Sequence, residues 1–144
     1  MTPSELWTGI LAMERAYAAC RREVTETFRL TAAEVDVLLF LANNGQRDTA
    51  ADIVRMRKIP KSQVSLAVNA LIGRGLLTGE HRPGDRKSVH LRPTAAAEPI
   101  VTAGRAAQER FAARLFAALT AEEKEQFIAL QRRMIAGIAA GEEQ

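Results

Sequence analysis

The stretch Thr49–Ala95, TAADIVRMRKIPKSQVSLAVNALIGRGLLTGEHRPGDRKSVHLRPTA, decides the fold, and it divides by its own punctuation. Thr49 followed by Asp52 is the pattern of an N-cap side chain with an acid at N3, and Ile53, Val54 and Met56 supply apolar contacts for a short helix. Pro60 fits just before or within a first helical turn, where its missing N–H costs little. From Lys61 to Ile72 the apolar residues Val64, Val68, Leu71 and Ile72 recur every three to four residues, leaving Ser62, Gln63, Ser65 and Asn69 on other faces. This second helix therefore has one side to pack on the protein and one side of short polar groups that can approach another surface closely. Gly73 or Gly75 ends it.

After Gly75 the period changes. Leu76-Leu77-Thr78 and Ser88-Val89-His90-Leu91 read as short strands around a tip, His81 to Lys87, whose Pro83-Gly84 pair signals a turn. Two short helices and then a hairpin make a winged helix-turn-helix. In that arrangement the second helix is the recognition helix: Lys61, Ser62, Gln63, Ser65 and Asn69 face a major groove, and Arg82, Arg86 and Lys87 on the wing reach phosphates or the minor groove. Charge points the same way. Arg55 through Arg92 holds nine basic residues against Glu80 and Asp85, a net of +7 in a chain whose total is +3. Grouped positive charge is what attraction to phosphate and release of its counterions require.

Three pieces of this stretch carry a resemblance. Lys61-Ser62-Gln63-Val64-Ser65, Leu71-Ile72-Gly73-Arg74-Gly75-Leu76-Leu77 and Asp85-Arg86-Lys87-Ser88-Val89 leading to Thr94 resemble the winged helix-turn-helix of the multiple-antibiotic-resistance regulator (MarR-like) family. The likeness takes in nearly the whole chain, flanking helices included. The family's wing carries Asp-x-Arg and closes with Leu-Thr; here Lys87 stands at the arginine position, Arg86 precedes it, and Pro93 replaces the leucine. Lysine lacks the planar fork of arginine, which favours phosphate contact at Lys87 over groove reading. Leu66 stands where the family commonly has arginine, so base reading falls to Ser62, Gln63, Ser65 and Asn69, and the target sequence is left open.

The resemblance implies a homodimer that binds double-stranded DNA at a palindromic operator, its two recognition helices about one DNA turn apart. It implies a cytoplasmic, ligand-responsive repressor whose effector is a small organic molecule, often aromatic or phenolic, held between the dimer helices and the DNA lobe. Arg15, Tyr17 and Phe28 are the candidate lining groups. Some relatives sense peroxide through a first-helix cysteine; Glu14 occupies that position here, while Cys20 sits on an apolar stripe and reads as a structural thiol. The alternative function is a winged-helix protein-interaction adaptor without specific DNA binding.

The flanking segments are helical. Ser4 to Phe28 carries Leu6, Ile10, Met13, Tyr17, Cys20, Val24 and Phe28 on one stripe, widened by Trp7 and Leu11. Thr31 with Glu34 has the form of a capping box and opens a helix apolar on most sides, the expected centre of the lobe. Past the wing, a helix beginning near Pro99 runs to Ala118, and Thr120 with Glu123 starts a last one through Phe127, Leu130, Met134, Ile135 and Ile138, with a frayed tail from Gly141. The expected fold class is thus mainly α, a winged helix-turn-helix with a two-stranded β wing and terminal dimerisation helices. Residues 30–95 form the DNA-binding lobe, and residues 1–29 and 96–144 the dimerisation region.

Composition bounds the rest. With 144 residues, 47% apolar and only 5% aromatic, the chain suits one alanine-rich helical domain. It has no apolar run that would span a bilayer and no leader pattern, so no membrane partner is expected. One cysteine excludes an intrachain disulfide and a cysteine zinc cluster, and two histidines separated by the wing tip make a poor metal set, so neither metal nor cofactor is expected. Catalysis is not expected either. Ser4, Ser62, Ser65 and Ser88 have only His81 and His90 for a base, both in the wing, and there is no glycine-rich phosphate loop.

Overall fold

Eight successive residues, Glu34 to Leu41, are buried. They belong to α2 (Ala32–Asn43), and a helix with no solvent-facing side must be enclosed by other elements. The computed structural model describes residues 1–142, and its elements in order are α1 (Pro3–Phe28), α2, α3 (Ala50–Arg57), α4 (Lys61–Gly73), β1 (Leu77–Arg82), β2 (Asp85–Pro93), a single 3-10 turn (Ala95–Ala97), α5 (Glu98–Leu115) and α6 (Ala121–Glu142). The chain divides into two compact units, Met1–Phe111 and the segment from Ala112 onward. The first contains α1, the whole winged module and the greater part of α5.

Within that unit α2 is covered by α1, α4 and β2. Its Val35, Val37, Leu38, Leu39, Phe40 and Leu41 join Ile53 of α3, Val64 and Leu71 of α4, Leu77 and Leu91 of the hairpin, and Ile100 of α5 in one core. The closest approach is at Gly104, where a Cβ would lie 2.5 Å from Leu39 Cδ2, so the glycine is what lets α5 settle against α2. Arg105 secures the contact by donating to Asn43 Oδ1 at 3.1 Å and to the Ala42 carbonyl at 3.0 Å.

Helix boundaries follow the caps read from sequence. Thr49 and Asp52 close a reciprocal capping box at α3, and Thr120 and Glu123 exchange the same two bonds at 3.2 and 2.8 Å before α6. At α2 only half of the expected box forms: Thr31 Oγ1 accepts from Glu34 N at 3.2 Å, while Glu34, itself buried, makes no return bond to the Thr31 N–H. α4 runs one residue past its expected end, and Gly75, at φ +72°, turns the chain into the wing.

Several details differ from the sequence reading. Ile72 is 41% exposed, and Ala67 completes the buried face with Val64, Val68 and Leu71, because Ile72 lies a further 100° round the helix from Leu71. Met56 is 44% exposed, which leaves Ile53 and Val54 to hold α3 to the core. The strands are longer than expected. Regular pairing runs from Leu77↔Pro93 to Glu80↔His90, the register then shifts, and Arg82 pairs with Asp85, so only Pro83 and Gly84, the latter at φ +82°, form the loop. Thr94 closes the base of the hairpin by donating its N–H to Leu76 O and its hydroxyl to Gly75 O. α5 ends at Leu115 rather than Ala118. α6 continues through Gly141 to Glu142, since one glycine costs a helix only about 1 kcal/mol; Glu143 and Gln144 of the expected frayed tail lie outside the described residues.

Gly104 supplies a stability test. Alanine would gain up to about 1 kcal/mol of helix propensity but overpack against Leu39, which typically costs about 1–3 kcal/mol. Gly104→Ala is therefore expected to lower the melting temperature and Gly104→Val to lower it further; a rise in urea midpoint for Gly104→Ala would show that Leu39 can yield.

Candidate nucleic-acid interface

α4 begins at Lys61, behind Pro60 as N-cap, and its burial is one-sided. Val64, Ala67, Val68 and Leu71 are buried, while Lys61, Ser62, Gln63, Ser65 and Asn69 are all exposed. The four residues expected to read bases, Ser62, Gln63, Ser65 and Asn69, are thus exposed on the same helix as Lys61, and none of the five engages in a side-chain hydrogen bond among the described residues. Leu66 stands among them, and the sequence reading gave it no role. α3 is set against α4 by Lys58, the left-handed C-cap of α3 at φ +54°, and by Ile59, which packs against the core.

The wing is held by Asp48, a residue to which the sequence analysis assigns no role. Asp48 accepts the Leu91 N–H at its carbonyl at 2.7 Å, and its carboxylate meets Arg82 Nη2 at 2.9 Å through one oxygen and His90 Nδ1 at 2.6 Å through the other. The segment before α3 thereby grips both strands of the hairpin. Asp85 shapes the tip from the other side: its Oδ1 accepts from Lys87 N at 3.1 Å and Ser88 N at 3.2 Å. Arg86 and Lys87 follow directly, exposed and in no ion pair among the described residues, whereas Arg82 is spent on Asp48. His81 Nδ1 lies 3.1 Å from Ser88 O, so both histidines are built into the hairpin.

Folding also redistributes the basic segment. Arg55 pairs with Asp52 at 2.8 Å, and Arg57 lies 3.7 Å from buried Asp36, which Arg21 meets at 2.6 Å. Arg74 donates to the Arg29 and Phe28 carbonyls at 3.0 and 3.1 Å, capping the C-terminus of α1. With Arg82, four of the nine cations are engaged within the protein. Lys58, Lys61, Arg86, Lys87 and Arg92 are exposed and outside any ion pair among the described residues.

The candidate effector residues are not assembled into one site within the chain. Arg15 is exposed. Tyr17 is half-buried, its ring meeting Phe111 edge-on at 5.4 Å with the Arg21 guanidinium 5.5 Å from its centroid, beside a crevice with no room for water. Phe28, eleven residues along the same helix, packs against the core at the edge of a separate hollow of about 220 Å³ formed with Ala103, Ala106 and Arg110. Larger hollows of about 510 and 290 Å³ border α4, the first against the start of α2 and the second against α3. No group of three or more His, Cys, Asp or Glu among the described residues is placed to hold a metal ion.

Two helices joined by a tight turn and followed by a clamped two-stranded hairpin make a winged helix-turn-helix fold. Residues 30–88 match the MarR family model, which takes in α2, the two helices after it and most of the hairpin. Solved structures of this fold align over most of the chain. The regulator BpsR of Bordetella bronchiseptica, whose DNA binding is regulated by 6-hydroxynicotinic acid, is 24% identical with a TM-score of 0.71, covering 90% of this chain and 98% of that one. A MarR-family regulator from Silicibacter pomeroyi is 23% identical with a TM-score of 0.75, covering 88% and 84%. A Listeria monocytogenes chain complexed with 26mer DNA is 18% identical with a TM-score of 0.82, covering 97% and 91%. No curated protein matches the sequence.

The Asp85 carboxyl lies below its ordinary pKa of 3.8, held there first by the Ser88 N–H and then by the Lys87 N–H. A depressed carboxylate contributes stability above its unfolded pKa and loses it as pH falls through the folded value. The wing tip is therefore expected to keep its form at neutral pH and loosen only on strong acidification. In an NMR titration the Lys87 and Ser88 amide resonances should move with a midpoint below 3.8, and Asp85→Asn should abolish that transition; a midpoint above 3.8 would contradict the turn described.

Proposed function

We propose that the protein is a homodimeric, sequence-specific DNA-binding repressor of the cytoplasm that releases a palindromic operator when a small organic effector binds. The observation that carries this reading is the exposed face of α4, on which Lys61, Ser62, Gln63, Ser65 and Asn69 stand uncommitted beside a wing tip bearing Arg86 and Lys87. Short polar side chains there can pair with base edges in a major groove, and the wing cations hold phosphates. Arg82 contributes by fixing the wing through Asp48 as much as by its own charge. The relatives bound to DNA or regulated by an aromatic acid support the same assignment. Residues 30–95 act as the DNA-binding lobe and residues 1–29 with 96–144 as the dimerisation region.

Dimerisation rests on apolar surface. In the first unit Leu6 and Trp7 are 52% and 61% exposed; in the second, Leu130, Met134, Ile135 and Ile138 of α6 are 54–65% exposed. Side chains of this size in such numbers are costly in water and are covered when two copies pair. Two equivalent lobes then read a two-fold symmetric site, and an effector acts by favouring a dimer geometry in which the recognition helices miss successive major grooves. Arg15, Tyr17 and Phe28 remain the candidate effector contacts. Tyr17 and Phe28 are about three helical turns apart, roughly 16 Å, so one small molecule touches at most one of them within a chain.

The engagement of four of nine cations at home favours one second reading, an adaptor without specific DNA binding. Salt response separates the two. Duplexes selected from random DNA are expected to bind with affinity falling on the order of 10³-fold between about 50 and 200 mM salt, whereas a flat response or failure to select any duplex supports the adaptor.

The dimer is tested on the protein without DNA. Melting temperature should rise with protein concentration, because pairing stabilises the folded chain by mass action. Sedimentation equilibrium should give twice 15.8 kDa, and Leu130→Asp should yield dissociated or aggregated material. A stable 15.8 kDa species whose melting ignores concentration would end the two-half-site mechanism.

A further inference from the structure

The centre of the α4 reading face is occupied by a side chain that makes no hydrogen bonds. At 100° per residue, Ser62, Leu66 and Asn69 fall within roughly 60° of one another, opposite the buried Val64, Ala67, Val68 and Leu71. Leu66 is 71% exposed, more than any other large apolar side chain of the described residues except Met1. It rims an open hollow lined by Ala32, Ala33, Ala67 and Ala70 together with Glu34 and Gln63, and among the described residues nothing buries it. A helical leucine leans toward the N-terminus of its helix, which here places the isobutyl group over Ser62 and Gln63, at the end of a recognition helix that meets base edges.

We propose that Leu66 is a specificity-determining residue that packs on the C5-methyl group of a thymine at one fixed position in each operator half-site. The thymine methyl is the one apolar group that unmodified bases present in the major groove; every other feature there is a donor or an acceptor. Leu66 offers neither, so a guanine, adenine or cytosine edge placed against it loses water without gaining a bond. The setting argues against a protein partner for this face. Ser62, Gln63 and Asn69, each about one helical turn from Leu66, are all exposed, so the leucine stands beside three hydrogen-bonding groups, with Ala70 and the alanine hollow on its other side. That arrangement suits a thymine methyl among base edges, and the alanine-lined hollow beside it is small against the apolar patch of about 300 Å² or more that a protein interface uses.

The inference rests on the DNA-binding reading, and its test separates the two. Wild-type protein and Leu66→Ala are titrated with the duplex selected by the wild type, and with copies in which each thymine in turn is replaced by deoxyuridine, which removes the methyl and leaves pairing intact. At one position per half-site deoxyuridine should weaken wild-type binding by about fourfold, the worth of one buried methyl-sized group. Leu66→Ala should bind thymine and uracil equally at that position and keep the wild-type response elsewhere. Salt-sensitive binding with no thymine coupled to residue 66 would overturn the proposal and leave the DNA-binding reading standing. Failure of the wild type to select any duplex would remove that reading, and the proposal with it. A change in sedimentation for Leu66→Ala would assign the side chain to contact between copies of the chain and would also overturn it. Leu66 lies outside the core, so equal melting of the two proteins is expected and confirms that the comparison is between folded states.

Discussion

The structure of the winged unit depends on α2 being enclosed on every side. A helix whose residues from Glu34 to Leu41 are all buried cannot be stable in water, so α1, α4, β2 and the close approach of Gly104 are its solvent substitute. Burial also brings two carboxylates inside, Glu34 and Asp36. An unpaired buried charge is expensive, and Asp36 is met by Arg21 at 2.6 Å with Arg57 at 3.7 Å. These arginines come from α1 and α3, so the demand of one buried acid helps fix where both helices lie. The orientation of α4 follows, since its buried face seals the same core.

The reading head is rigid for a related reason. A two-stranded hairpin alone is marginal in water. Here it is anchored three times: Leu77 and Leu91 enter the core, Thr94 bonds back to Gly75 and Leu76, and Asp48 holds Arg82 and His90. The wing tip is then a short lever on a fixed base, with Arg86 and Lys87 at its end and Asp85 setting their direction. A reader of nucleic acid benefits from this arrangement, because ordering a mobile wing on binding would cost conformational entropy that fixed contacts have already met.

Charge shows most plainly how chain order and space differ. A window from Arg55 to Arg92 counts +7, but Asp36, Asp48 and Asp52 lie before it in sequence and against it in the fold. The cations left outside any ion pair among the described residues are those near the start of α4 and along the wing. The positive surface is smaller than the count and better aimed.

What the sequence by itself determined were the features carried by local geometry. Capping pairs such as Thr49 with Asp52 and Thr120 with Glu123 act across three residues, the α4 face follows from a period of 3.6, and Pro83-Gly84 makes its turn unaided, so each was legible from neighbours in the chain. The motifs that resemble the MarR-like family are of this local kind as well. The tertiary structure decided what depends on contacts between distant residues. Asp48 carried no signal in the sequence because its partners Arg82 and His90 lie 34 and 42 residues away. Ile72 fitted the apolar spacing yet stays 41% exposed, Gly104 gave no signal until Leu39 lay against it, and Arg15, Tyr17 and Phe28 were grouped by residue type before their positions along α1 set them apart. Pattern along a chain specifies which residues share a face; it cannot specify what that face meets, because the meeting is fixed by packing the whole core at once.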